Sequence, residues 1–284
     1  MPSGHAGGMR IIMTNDDGIE SAGIHVLAAT FVRAGHEVVV VAPDRDFSGV
    51  GASLGRITMD EHIAATPVEH AAMPGIEAWA VDGPPGLCVL AARMGAFGPA
   101  PDVVVSGINA GLNTGRAVLH SGTVGAALTA QNFGLSGLAV STAVADPWQW
   151  QTAADLAVGA LETLAGAPER SVLNLNVPAL PAAEVQGLRW ARLAPFGEVQ
   201  TASAEVADHR LRFTFRGSDA QPDLTTDQGL VRAGYATLTP LAGLAEAWAA
   251  REEPGSIDVL VDRVDTGSMA PGAPFHPSHR LPPH

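Results

Sequence analysis

The chain has 284 residues and no lysine: all 16 of its basic residues are arginine, set against 29 Asp and Glu, for a net charge of -13. An acidic surface repels phosphate backbones, which argues against tight binding to a nucleic acid polymer. A small phosphorylated ligand stays admissible if a metal ion supplies local positive charge. Cysteine is nearly absent. The single Cys88 rules out an intramolecular disulfide and suits a reducing cytoplasm. No run approaches the ~20 apolar residues needed to span a membrane. The opening Met1 to Gly8 lacks the apolar segment of a signal peptide and reads as a flexible leader. The G-x-G-x-x-G fingerprint is missing after the first strand, which argues against a dinucleotide cofactor, and the lack of a Walker A motif excludes a P-loop NTPase. A phospho-aspartyl phosphatase would want an Asp-x-Asp there, whereas the acids of this chain are adjacent.

What is present is apolar material for a core: 46% of residues are hydrophobic and only 16% charged. Arg10 to Thr14 is a short apolar run that stops at Asn15-Asp16-Asp17-Gly18. Gly23 to Ala34 carries Ile24, Leu27, Ala28 and Phe31 at helical spacing, with Gly35 as its stop. Glu37 to Ala42 is a continuous β-branched run ended by Pro43. Strand, helix and strand within about thirty residues make a βαβ unit. Further strands are expected at 101–105, 138–141 and 171–177, and helices at 123–132 and 153–164. Continuous rather than alternating apolar strands imply an α/β fold, a mostly parallel sheet with helices on both faces. This core is expected over 9–187. From 188 to 252 the texture turns β-rich, with Leu211, Phe213 and Phe215 alternating as on a half-exposed antiparallel strand, a strand at 235–239 and a closing helix over 241–251. The Pro/Gly-rich tail, 253–284, is expected to be loosely ordered.

In doubly wound sheets, ligands bind beyond the carboxyl ends of the strands. Three such loops are rich in oxygen ligands and glycine: Asn15 to Gly18, Pro43 to Gly49, and Ser106 to Asn113. Adjacent like charges at Asp16 and Asp17 raise a pKa unless a cation neutralises them, and oxygen ligands suit Mg²⁺ or Mn²⁺. The competing reading is a plain turn with a helix N-cap. Ser48 and Asn109 each offer a neutral oxygen, or a loop hydrogen bond. Asn113 offers the same, or only shapes a turn. Ser121-Gly122-Thr123 opens a helical run, where free N–H groups form an anion site, although Ser/Thr capping alone would also explain it. Trp148 and Trp150 suit a loop contact as well as a ligand contact, Cys88 reads as a small buried hydrophobe, and His276, His279 and His284 as solvated.

Together these motifs resemble the SurE family, the survival protein E 5'/3'-nucleotidases. The resemblance rests on Thr14 to Gly18, Ala42 to Arg45, Ser48-Gly49, Ser106 to Asn113, Ser121 to Val124, Leu173 to Pro178, Thr226-Asp227 and Gly234 to Leu241. It implies a Rossmann-like core with a β-hairpin extension and a C-terminal segment, assembled as a homodimer or homotetramer. It also implies a metal-dependent phosphomonoesterase acting on nucleoside 5'- or 3'-monophosphates. Carried over by position, Asp16, Asp17, Ser48 and Asn109 match the ligands of one divalent metal per subunit. Asn113, Ser121, Gly122 and Thr123 match the phosphate-binding positions, and Asp16 or Asp17 the group that assists proton transfer. Four loop positions depart from the family pattern: Phe47, Ala52, Leu87 and His120. They leave open a phosphatase for another small phosphoester, such as a biosynthetic intermediate. A silent nucleotide binder is the remaining alternative.

Overall fold

A computed structural model of the chain describes residues 8–58, 62–195, 199–207, 210–217 and 223–244. The leader up to residue 7, the tail, and residues 245–251 of the closing helix expected over 241–251 lie outside the described residues. Strand β1 (Arg10–Thr14) leads through α1 (Ala22–Arg33) to β2 (Glu37–Pro43), completing the βαβ unit. β3 (Ala65–Pro67), β4 (Glu77–Val81) and α2 (Pro85–Arg93) follow. Next come β5 (Val103–Ala110), a 3₁₀ segment (Gly115–His120), α3 (Gly122–Asn132) and β6 (Ser136–Thr142). α4 (Trp150–Ala165), β7 (Val172–Val177), β8 (Leu188–Trp190), the β9 (Val199–Ala207) and β10 (Arg210–Gly217) hairpin, α5 (Asp227–Arg232) and β11 (Ala236–Leu241) complete the order.

Nine strands form one sheet in the order β3-β4-β2-β1-β5-β6-β7-β11-β8. All neighbours run parallel except β3 with β4 and β7 with β11. The alternate residues of each strand split between two cores. Ile11, Met13, Val105 and Leu138 pack with α1 and α4 on one face. Ile12, Val39, Val41 and Val104 pack with α2 and α3 on the other. Burial on both faces explains why these strands are continuously apolar. β8 and β11, which follow the change of texture in the sequence, are strands of this same sheet, while β9 and β10 form a separate antiparallel pair. The side chains of that pair lie outside what the structure describes, and with them the apolar face expected of Leu211, Phe213 and Phe215.

Two features of this sheet place a site. From β1 the chain first builds outward through β2 and β4, then returns to β5 on the other side. The gap between the carboxyl ends of β1 and β5 is therefore the topological switch point, where such sheets bind ligands. Near its end β5 shifts register between Ser106 and Asn109. Gly107 makes this possible: its φ is 136°, and a Cβ there would lie 2.3 Å from the Val140 carbonyl oxygen. The shift delivers Asn109 to the rim opposite Asp16 and Asp17.

Candidate active site

The loop after β1 separates the two readings of its sequence. Asn15 builds the turn: its Oδ1 accepts from the Gly18 amide at 3.2 Å and its Nδ2 donates to the Gly18 carbonyl at 2.9 Å. The cap of α1 falls to Ser21, with no side-chain capping bond. Neither Asp16 nor Asp17 is needed for turn or cap.

Asp16 is 3% exposed. Its Oδ2 accepts from the Gly122 amide at 3.1 Å, its Oδ1 accepts from the Thr123 hydroxyl, and the Thr123 amide adds to the hold. The amino end of α3 therefore points its positive dipole at this carboxylate. Only glycine permits the approach, because a Cβ at position 122 would lie 2.6 Å from Asp16 Cβ. Ser121 caps α3, its Oγ accepting from the Val124 amide at 3.1 Å. Burial nevertheless pushes the Asp16 carboxyl above its usual range, against these hydrogen bonds. Asp17 is half-buried, and burial, then the Asp16 charge, push its carboxyl up to about 6, with Asp46 adding to the rise. Its Oδ2 is buried without a hydrogen-bond partner. Arg45, the cation of the second loop, is engaged by Asp44 at 2.8 Å and Asp82 at 2.7 Å.

The second loop meets the first through the Phe47 amide, which donates to the Asp16 carbonyl at 2.8 Å, and meets the 3₁₀ segment through the Gly51 amide, which donates to the His120 carbonyl at 3.1 Å. Ser48 is exposed, and its hydroxyl donates to Asp46 at 2.6 Å, leaving the oxygen lone pairs open. Asn109 directs its amide nitrogen to the Gly111 carbonyl at 2.8 Å. Its Oδ1 lies 3.3 Å from the Thr123 hydroxyl, whose single proton goes to the nearer Asp16. Asp16 and Asn109 thus share Thr123, and Ser48 is tied to Asp46, whose charge acts on Asp17, so the four expected metal ligands lie on three adjoining loops. They offer a buried oxygen without a partner, a raised carboxyl pair and two neutral oxygens with lone pairs to spare. That donor set fits a hard divalent cation. Among the described residues no group of three or more His, Cys, Asp or Glu could hold a metal, so such an ion depends on the neutral oxygens.

The four expected phosphate residues divide. Gly122 and Thr123 are committed to Asp16. Asn113 Nδ2 donates to Ser141 Oγ at 2.8 Å and has a second N–H to offer, and the Ser121 hydroxyl keeps its proton while its oxygen caps α3. His120 is exposed beside Ser121. Asp46, which anchors Ser48 and acts on Asp17, escapes sequence reasoning; its position two residues before Ser48 is the only signal. Asp227 enters the sequence reading only as a motif match without a role. Fully buried, it accepts from the Gly115 amide at 2.8 Å and the Ala194 amide at 2.9 Å, fastening the segment that leads to Ser121. Cys88 is buried and its thiol pushed up to about 12 by that burial, as a small hydrophobe requires. Trp148 and Trp150 stack on each other with centroids 4.5 Å apart, and Trp150 packs against the core. A crevice of 670 Å³ lined by Val68, His70, Met73 and Trp79 opens beside the amino-terminal half of β4, away from this rim.

Residues 11–197 match the family described as "Survival protein SurE". A 5'-nucleotidase SurE of Gloeobacter violaceus is 46% identical over 187 residues, which is 65% of this chain and 70% of the relative. The 5'-nucleotidase SurE of Stenotrophomonas maltophilia strain K279a is 40% identical over 243 residues, 82% of this chain and 89% of the relative. The crystal structure of the SurE protein from Aquifex aeolicus superimposes with a TM-score of 0.70 at 28% identity, over 84% of this chain and 95% of that one.

Proposed function

The chain belongs to the SurE family, and we propose that it is a metal-dependent phosphomonoesterase that hydrolyses nucleoside monophosphates to nucleoside and phosphate. The observation that carries the reading is the Asp16–Asp17 pair at the switch point of the sheet, with one buried oxygen lacking any partner. Asp16, Asp17, Ser48 and Asn109 would hold one Mg²⁺ or Mn²⁺ per chain. When bound, such an ion polarises the phosphoryl group and lowers the pKa of a water.

The chain's own residues divide the remaining work. Gly122 and Thr123 fix Asp16, so that the site is built before substrate arrives. Each Asp16 oxygen already accepts a hydrogen bond and keeps a lone pair for the ion, whereas Asp17 Oδ2 has no partner, which gives proton acceptance within the pair to Asp17. The second N–H of Asn113 and the Ser121 hydroxyl meet the phosphate oxygens. Phe47 and His120 border the site through their own loops and bear on the leaving group. The lone, buried Cys88 supports a place in the cytoplasm, and among the described residues no helix is long and apolar enough to cross a membrane. The family resemblance and the β9–β10 pair, which stands apart from the main sheet, support a homodimer or homotetramer.

Phosphate release from a panel of 5'- and 3'-nucleoside monophosphates and other small phosphoesters tests the reading. With Mn²⁺ or Mg²⁺ the chain should release phosphate and favour nucleotides, and EDTA should stop it. A preference for another phosphoester moves the substrate class. No release from any phosphomonoester overturns the proposal.

A further inference from the structure

Strand β7 buries two asparagines, Asn174 and Asn176, both 0% exposed. They alternate with Leu173, Leu175 and Val177, which fill the core under α4. Asparagine is a poor strand former, and an amide buried without a partner destabilises the fold. Two of them at i and i+2 on one face of a central strand therefore need a reason.

The reason is Asn113. Its amide donates to Asn176 Oδ1 at 2.8 Å, and its carbonyl accepts from Asn176 Nδ2 at 3.0 Å and from Asn174 Nδ2 at 2.8 Å. Asn176 thus pairs with the peptide groups of one residue through both of its polar atoms, as a neighbouring strand would. Its partner lies 63 positions away in the chain. Asn174 contributes only its Nδ2, and its Oδ1 is left without a partner. The Asn113 side chain is then set by Ser141, which lies beside Asn176 in the register of β6 and β7. None of these hydrogen bonds reaches Asp16, Asp17 or Ser48, while Asn109 shares the loop of Asn113 and lies beside Ser141 in the register of β5 and β6.

We infer that Asn176, seconded by Asn174, is a positioning residue: it clamps the backbone of Asn113 so that its side-chain amide faces the phosphate. This rests on the phosphatase reading above. Two separate elements then position the site: α3 fixes Asp16 and β7 fixes Asn113.

The experiment is a double-mutant cycle between Asn176→Ala and Asn113→Ala, read as kcat/KM for a nucleoside monophosphate and as inhibition by inorganic phosphate, with Mn²⁺ affinity measured in each variant. Asn176→Ala should lower kcat/KM about 10- to 100-fold, the scale of a misplacement near 1 Å. It should weaken phosphate inhibition and leave Mn²⁺ affinity within about 3-fold. In the Asn113→Ala background the same change should cost less than about 3-fold, because the side chain it positions is gone. Equal losses in both backgrounds, a matching loss of Mn²⁺ affinity, or no loss in the otherwise natural chain would overturn the inference. Should Asn176→Ala fail to fold, Asn176→Asp keeps the acceptor for the Asn113 amide while turning an oxygen toward its carbonyl, and the same outcomes decide. A wild-type chain inactive on every phosphomonoester overturns the functional reading instead. The clamp is then judged by inorganic phosphate binding in the same variants.

Discussion

Asp17→Asn separates the site's contribution to chemistry from its effect on stability. In the folded chain, burial and the Asp16 charge raise the Asp17 carboxyl from 3.8 to about 6. A raised carboxylate destabilises the fold when charged. The penalty is absent below about pH 4, grows as pH rises through the window to 6, and is complete above it. The full shift corresponds to about 3 kcal/mol. Because the carboxylate is partly open to solvent, about 1–2 kcal/mol is the better expectation. Asparagine keeps the shape and can still accept the Ala110 amide that Asp17 accepts. In EDTA at pH 8, Asp17→Asn should therefore raise Tm by on the order of 3–6 °C, with the difference vanishing near pH 4. With Mn²⁺ the order should invert, since only the carboxylate gains from the metal, and phosphate release should be lost. Differential scanning calorimetry across pH, with and without Mn²⁺, reads all of this. A variant less stable than the natural chain in EDTA at pH 8 would refute the reasoning, as would normal turnover at low metal.

Gly122→Ala should cut kcat/KM by on the order of 100-fold, because the new Cβ displaces a pinned Asp16. Its cost in stability should stay near 1–3 kcal/mol, and urea unfolding beside steady-state kinetics checks both. Asp227→Asn keeps one acceptor but turns an NH₂ toward the Gly115 amide, and should destabilise the chain by about 1–3 kcal/mol in urea unfolding. Size-exclusion chromatography with light scattering should give at least twice the 29.1 kDa chain mass; a clean monomer would return the β9–β10 pair to its own subunit.

The parallel core was legible because its strands are β-branched runs cut short by glycine, proline or a polar loop, as at Glu37 to Pro43. β4 was not, since Glu77 to Val81 is a short mix of alanine and tryptophan with no clear period. α2 hid behind Pro84, Pro85 and Gly86, although Pro85 at the first helical position is favourable there. The helix expected from Leu241 begins inside β11, which pairs as far as Leu241 with Val172. Strand pairing outweighed local helical spacing at that position. At the site, the loops could be read from residue type and place in the fold. Their division of labour could not: Gly122 and Thr123 looked like free anion donors until Asp16, 106 residues away from Gly122, took them. Asn174 and Asn176 were likewise a motif without a role, because their partner is a backbone distant in sequence.

Anomalous diffraction at the manganese edge, from crystals grown with Mn²⁺ and inorganic phosphate, decides whether the Asp16–Asp17 rim holds the metal. One manganese per chain is expected, bonded to oxygens of Asp16, Asp17, Ser48 and Asn109, with phosphate on the Asn113 and Ser121 side. A manganese bound elsewhere in the chain, or Asp17 Oδ2 still without a partner when Mn²⁺ is saturating, would contradict it.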